Sequence, residues 1–382
     1  MKRTAYTMIG AFLFFCQGYS QFYPLRTTEE KKIYSTVLNE QRPILISKPI
    51  GYDHSSEAYF VVYVLDGNLN MSLTSGIAEL LYQAGYPKLL VVGIPSTERT
   101  RDLTPSAVQN TPLGGGADDF MRFIETELMP FVEHNYRAHS YNVLIGHSLG
   151  GLFATHVLHK NPDLFDGYIA ITPTVVYEDF QTGNDLRNFF EGTKVLHKTF
   201  FFSVAYEPGP EGDAVFRLKR EVFEKHIPDR FDWAFEYYPK ENHSTTPIVA
   251  TLDGLRFVFK DLVPDDDLVK EKGFENTRLY YQNLGEKYSK EVLIPQRILM
   301  NYGYDIISDK DLEKEAFAVF NYYRENYPGV PVSYDGLAIL YERRNDLNNA
   351  IINLKKLIEI DPAYEDALDR LEKLEKIRDR GK

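Results

Sequence analysis

The sequence predicts a three-layer α/β sandwich with a mostly parallel sheet, followed by an all-α domain. Between about Arg42 and Leu262, short runs that are apolar at every position alternate with stretches of helical period. A serine flanked by glycines stands where one of these runs passes into a helical stretch. Beyond Val263 the strand signals stop and a helical repeat takes over. Strands covered on both faces lose the in–out alternation of half-exposed ones, so the continuous apolar runs read as a parallel sheet. The helices that alternate with them then cover its two faces. The expected boundaries are a leader over 1–20, an α/β domain over 21–263 and a helical domain over 264–382.

The leader is read from Lys2-Arg3, an apolar run from Met8 to Cys16, and small residues Gly18 and Ser20 before Gln21. Gly at −3 and Ser at −1 suit a signal peptidase, so the mature chain is expected to begin at Gln21, in the periplasm or secreted. The run is too short to cross a bilayer. Phe14-Phe15 ahead of Cys16 does not fit a lipoprotein signal, which wants small residues there. Cleavage removes Lys2, Arg3 and no acid, so the formal charge moves from −12 to −14. It also removes the only cysteine, which leaves no disulfide, thiol nucleophile or thiolate metal site. With Lys+Arg 43 against Asp+Glu 55 and no long basic run, nothing here binds nucleic acid or favours an anionic membrane surface. No later segment is apolar and long enough to span a membrane.

In chain order the predicted strands are Tyr59–Leu65, Leu89–Ile94, Val143–Gly146, Gly167–Ile171, Phe200–Val204 and Phe231–Tyr238. A helix is predicted from Phe120 to Tyr136, where Phe120, Phe123, Ile124, Leu128 and Phe131 recur at three- and four-residue steps after Asp118-Asp119. Past the break near Pro264, Ala316, Phe320 and Pro328 recur 34 residues later as Ala350, Leu354 and Pro362. With Tyr334, Leu337, Ala338 and Tyr341 they resemble the tetratricopeptide pattern, in which a small Ala lets paired helices approach and Pro ends the second. Two units are fewer than an independent solenoid needs, so the tail is expected to dock on the α/β domain or on a protein partner.

The residues that carry chemistry begin with Gly146-His147-Ser148-Leu149-Gly150-Gly151, between the strand ending at Gly146 and the helical run Leu152 to His159. A serine on such a tight strand-to-helix turn is a nucleophile elbow, in which the residues two before and two after the serine must be small. The turn lifts the hydroxyl out of the sheet, and the next helix points its N-terminal amides at a developing oxyanion. The hydroxyl needs a base. In this fold the base follows the last strand, which selects His243 in Pro239-Lys240-Glu241-Asn242-His243-Ser244. His147 leaves the turn in another direction and reads as structural. No histidine pair has metal-ligand spacing, so no metal and no cofactor are implied.

Leu65-Asp66-Gly67-Asn68, Arg99-Thr100-Arg101-Asp102-Leu103-Thr104-Pro105, Gly114-Gly115-Gly116-Ala117-Asp118, the Ser148 elbow and Glu241-Asn242-His243-Ser244 resemble the esterase-D-like α/β-hydrolases. The likeness covers roughly Arg42 to Leu262 and is nearest the exported branch that includes periplasmic siderophore esterases, with members carrying a tetratricopeptide-like tail. It implies an α/β-hydrolase fold and an oxyanion hole built from the backbone N–H of Leu149 and of Asn68. Many relatives carry Ser-Pro-Ser-x-Trp-Trp after the next strand. Here Thr172-Pro173-Thr174-Val175-Val176-Tyr177 lacks the tryptophans, which weakens the case for an aromatic catecholate substrate.

Arg99 and Arg101 follow the strand ending at Ile94, at the sheet edge where ligands bind. They suit either an anionic or catechol-bearing acyl group, or ion pairs that hold the loop, Arg101 with Asp102. Gly114-Gly115-Gly116 reads as a flexible loop at the rim. The orienting acid belongs just past a strand end, and Glu207, three residues beyond the strand Phe200–Val204, lines up with the acid of relatives. Glu211 and Asp213 are alternatives, Asp213 also suiting the cap of a helix from Ala214, and a Ser–His dyad is another.

The expectation is an exported serine esterase that takes a small-molecule or glycan ester through a Ser148 acyl-enzyme. A siderophore ester, a feruloyl or acetyl decoration and a simple short-chain ester all fit. Two other readings are a tetratricopeptide binding or scaffold protein with a vestigial hydrolase domain, and an acyltransferase using the same acyl-enzyme.

Overall fold

The computed structural model describes residues 26–54, 57–107, 113–263, 266–287, 291–364 and 366–380. The expected leader, with Cys16, lies outside the described residues. The α/β part runs β1 (Thr28–Ser35), β2 (Glu40–Ser47), β3 (Tyr59–Leu65), α1 (Gly67–Gln83), β4 (Leu89–Ile94), α2 (Arg99–Leu103), α3 (Ala117–Phe123) and α4 (Met129–Asn135). It continues with β5 (Ala138–His147), α5 (Leu149–Lys160), β6 (Gly167–Ile171), α6 (Tyr177–Gly192), β7 (Thr199–Ala205), α7 (Pro210–Leu218), β8 (Asp232–Tyr238) and α8 (Thr246–Val258).

The eight strands are ordered β1-β2-β4-β3-β5-β6-β7-β8. β2 is antiparallel to both its neighbours, and every pair from β4 to β8 is parallel. This is the mostly parallel sandwich of the α/β-hydrolase fold. β4, β6 and β7 are buried at every position, which is why their sequences are apolar without a break. Successive residues of β3 serve opposite faces. Val61, Tyr63 and Leu65 pack with Phe120, Phe153, Leu186 and Val215 of α3, α5, α6 and α7. Val62 and Val64 pack with Met71, Leu81, Ala250 and Leu255 of α1 and α8. The hairpin β1–β2 carries no such run. β1 is the charged stretch Thr28–Ser35 at the sheet's edge, half in water, so apolar content does not mark it. The helix expected from Phe120 is one rod, α3 and α4 joined through a π-helical turn at Ile124–Leu128.

The C-terminal region is helical: α9 (Asp266–Lys287), α10 (Gln296–Ile306), α11 (Glu313–Asn326), α12 (Pro331–Arg343), α13 (Leu347–Ile360) and α14 (Ala367–Arg380). Ala316, Phe320, Ala338, Ala350 and Leu354 are fully buried between these helices, and α11 and α13 stop short of Pro328 and Pro362. Phe320 wedges its ring onto Gly336, where a Cβ would come within 2.2 Å of it.

The tail docks on the α/β part. Phe274, Tyr281, Ile294, Leu299 and Phe320 share one apolar core with Val62, Leu81, Val258 and Phe259. Polar contacts surround it: Tyr280 OH donates to the Asp261 carbonyl at 2.9 Å, His139 Nε2 lies 3.2 Å from the Glu291 carbonyl oxygen, and Gln296 bonds Glu57. Glu57 and His139 sit where β3 and β5 begin, so the tail occupies the edge of the sheet opposite Ser148. A chain ending at Leu262 uncovers this apolar surface. Its Tm is expected to fall by at least about 5 °C, with light scattering on heating, by differential scanning calorimetry against the full chain.

Candidate active site

Ser148 joins β5 to α5 with φ 60° and ψ −118°, a left-handed conformation that turns the chain sharply between strand and helix. The turn needs backbone to approach backbone. A Cβ on Gly146 would lie 2.1 Å from the Gly150 carbonyl oxygen, whereas one on Gly150 would meet only ordinary contacts with Leu65 at 3.5 Å. The small residue expected two after the serine is therefore not sterically required here. The crowded glycine on that side is Gly151, where a Cβ would sit 2.9 Å from Pro173 Cα.

Glu207 stands two residues past β7, and His243 on the loop after β8. His243 Nδ1–H donates to Glu207 Oε1 at 2.5 Å. The Glu207 side chain is 12% exposed and that of His243 45%, so the carboxylate lies behind an imidazole that faces solvent. The two loops are tied together: Tyr206 N–H donates to the Glu241 carbonyl at 3.0 Å, and Asn242 Oδ1 accepts from the Ser244 and Thr245 amides at 3.0 and 3.2 Å. Among the described residues, no hydrogen bond joins Ser148 Oγ to His243. The serine's side-chain partner is Thr174 Oγ1, at 3.2 Å. Loose nucleophile–base contacts are common before substrate binds.

His147 lies with its ring centre 4.5 Å from that of His243. Burial, and then the neighbouring His243, push its pKa down to about 4, so it is neutral at pH 7. A neutral neighbour would not oppose a positive charge on the His243 ring.

Leu149 is the first residue of α5 and Asn68 the second of α1, where helical N–H groups have no partner within the helix. Among the described residues neither of these two amides has an acceptor. Asp66, the residue before α1, has φ 51° and is buried. Gly67 allows the turn to press on β4, since a Cβ there would lie 2.6 Å from the Ile94 amide nitrogen.

Both arginines are engaged by carboxylates. Arg99 holds Asp66 with two bonds, Nε to Oδ1 at 2.8 Å and Nη2 to Oδ2 at 2.9 Å, and reaches the His147 carbonyl at 3.3 Å. It thereby spans the turn carrying Asn68 and the elbow carrying Ser148. Arg101 donates to Glu40 at 2.8 and 3.1 Å and to Asp102 at 2.7 Å, and the buried Arg42 completes the cluster through Asp102 Oδ2 at 2.7 Å. Arg101, with Arg42 behind it, holds the Glu40 carboxyl down at about 2. The Gly114–Gly116 loop expected to be flexible is pinned: Gly116 N–H donates to the Arg101 carbonyl at 2.8 Å and Gly115 N–H to Thr104 Oγ1 at 3.1 Å. Glu211 and Asp213 lie in the first turn of α7, exposed. That helix begins at Pro210 rather than near Ala214, so Asp213 is inside it and does not cap it.

Residues 35–198 match the family model "Putative esterase". The matched region includes Ser148 and ends before Glu207 and His243. Among curated proteins the chain is 32% identical over 180 residues to the ferri-bacillibactin esterase of Bacillus subtilis, covering 41% of this chain and 62% of that protein. It is 34% identical over 151 residues to a siderophore triacetylfusarinine C esterase of Aspergillus fumigatus, covering 36% and 51%. The chain thus spans less than two thirds of the length of these relatives. An IroE-like serine hydrolase from Shewanella oneidensis superposes with a TM-score of 0.70 at 28% identity, over 78% of this chain and all of that one. A protein from Capnocytophaga ochracea shares the fold at 18% identity, with a TM-score of 0.63 over 92% of this chain, the helical region included.

Thr174 is the residue at the site to which sequence reasoning assigned no role. The signal was available, because Thr174 lies in the turn directly after Gly167–Ile171, the strand that neighbours the one leading into the elbow. For the acid, Glu207→Gln is expected to lower kcat by about 10²- to 10⁴-fold, because an uncharged amide neither stabilises the imidazolium nor enforces its tautomer. Glu211→Gln and Asp213→Asn are expected to stay within about threefold of wild type. The measurement is kcat from about pH 5 to 9.

Proposed function

We propose that the chain is an exported serine esterase of the esterase-D-like group, acting on carboxylic esters. The observation that carries this reading is the left-handed elbow at Ser148 on the same sheet edge as the His243–Glu207 pair. Ser148 Oγ attacks the ester carbonyl as its proton passes to His243 Nε2, and Glu207 steadies the resulting imidazolium. The carbonyl oxygen becomes an oxyanion held by the Leu149 and Asn68 amides. The tetrahedral centre collapses, the C–O bond to the alcohol breaks, and His243 gives its proton to the leaving oxygen. Water then repeats the sequence on the acyl-enzyme: His243 takes its proton as its oxygen bonds to the acyl carbon, the acyl C–Oγ bond breaks, and His243 returns the proton to Ser148 Oγ.

In this reading Arg99 and Arg101 act on the turn and α2 rather than on substrate, since their guanidinium groups are occupied by Asp66, Glu40 and Asp102. The tail is a tetratricopeptide-like pair of units that stabilises the catalytic domain from below. A siderophore ester is the favoured substrate, supported by what the two curated relatives are named for. The test is a panel of esters: p-nitrophenyl acetate and butyrate, methyl ferulate, an acetylated xylan fragment, and ferric catecholate and ferric hydroxamate siderophore esters. Turnover of a siderophore ester at a kcat/KM at least about tenfold above the others supports that substrate, and failure to turn over any of them overturns the esterase reading.

A further inference from the structure

We propose that Thr174 is a further catalytic residue, whose hydroxyl donates a hydrogen bond to Ser148 Oγ and stabilises the negative charge that gathers on it. The inference rests on the esterase reading above.

The placement is built rather than incidental. Ser148 N–H donates to the Ile171 carbonyl at 3.0 Å, and Thr174 N–H donates back to the Ser148 carbonyl at 3.2 Å. This reciprocal pair fixes the Thr174 backbone against the elbow. Thr172 is left-handed, with φ 42°, and its N–H bonds the Ser203 carbonyl at 2.9 Å, so the turn leaves β6 sharply. Pro173 then fills the space above Gly151. Threonine's branched side chain is stiff about χ1, so its hydroxyl stays aimed where the backbone puts it. It lies 3.2 Å from Ser148 Oγ, and no other hydrogen-bond partner for its side chain occurs among the described residues.

A serine hydroxyl has one proton to give and two lone pairs to fill. If Ser148 gave its proton to Thr174, the proton would point away from His243 and attack would stall. If Thr174 gives its own, the Ser148 proton is free for His243 Nε2. As the Oγ–carbonyl bond forms and that proton moves to His243, Thr174 keeps its proton throughout and its donated bond strengthens with the charge. In deacylation the same donor stabilises Ser148 Oγ as the leaving oxygen.

The experiment compares wild type with Thr174→Val, which keeps shape and loses the hydroxyl, Thr174→Ala as a second hydroxyl-free variant, and Thr174→Ser. Three quantities are read on the full chain: the second-order rate of labelling by a fluorophosphonate, and kcat and KM for p-nitrophenyl acetate. Val and Ala are expected to slow labelling and kcat by about 10- to 100-fold with KM within about threefold, and Ser to stay within about threefold of wild type. Whichever of Val and Ala remains folded decides the matter. Labelling within threefold of wild type in that variant overturns the proposal, as does a Ser variant as slow as Val, since the methyl group would then be what matters. Those results leave the esterase reading standing. A wild-type protein that neither labels nor turns over ester overturns both.

Discussion

Ser148→Ala is expected to fold normally and to lose ester hydrolysis by about three to six orders of magnitude in kcat, with fluorophosphonate labelling abolished. The fold survives because the side chain does little for it. Ser148 precedes α5 without a side-chain capping bond, and its one side-chain hydrogen bond is to Thr174. Loss of a single hydroxyl bond of this kind costs about 1 kcal/mol. The left-handed backbone is one that alanine adopts no worse than serine. Activity disappears because, in the proposed mechanism, His243 and Glu207 move or hold protons and the Thr174 hydroxyl only donates a hydrogen bond, so none of them carries the acyl group. Calorimetry, steady-state kinetics and labelling of the same preparation check all three statements. Labelling that persists in Ser148→Ala shows that another serine is the nucleophile.

Gly146→Ala is expected to have the opposite character, destabilising by more than about 3 kcal/mol and removing labelling along with the fold of the elbow. The added Cβ would come within 2.1 and 2.2 Å of the Gly150 carbonyl oxygen and carbon, and 2.9 Å of the Gly151 nitrogen. All three are backbone atoms of the first turn of α5, a buried helix, so no side-chain rotation relieves the overlap. Gly150→Ala places its Cβ at 3.5 Å from Leu65 and is expected to cost less than about 1 kcal/mol and to keep labelling. Urea denaturation of the two variants beside wild type reads the contrast. Equal stabilities for the two alanines would mean the elbow can rearrange around Gly146.

Much of the fold is legible in the sequence because the signals are local. The runs Tyr59–Leu65, Leu89–Ile94 and Gly167–Ile171 coincide with β3, β4 and β6 to the residue, since burial on both faces leaves no polar position to blur their ends. Edge elements are harder. β1 is charged along its length, and β5 extends back to Ala138 through polar residues that water still reaches. The elbow is legible too, as a steric requirement written into consecutive residues, and so are the positions just past strand ends that hold Glu207 and His243.

What the sequence determines by itself, then, is the alternation of buried strands and helices, the strained serine turn and the helical repeat, because each depends on residues within a few positions of one another. The tertiary structure decides the pairings that span the chain. Thr174 meets Ser148 across 26 residues and Arg99 meets Asp66 across 33, and both meetings follow from which strands lie side by side in the sheet. The parallel register of β3 to β8 carries their C-terminal ends to one edge, so it collects Asp66, Ser148, Thr174, Glu207 and His243 there and leaves the opposite edge to the tail. It also decides that the arginines are held by carboxylates, and that Gly146 is crowded while Gly150 is not. Those outcomes depend on the distance between two backbones, which no single stretch of sequence contains.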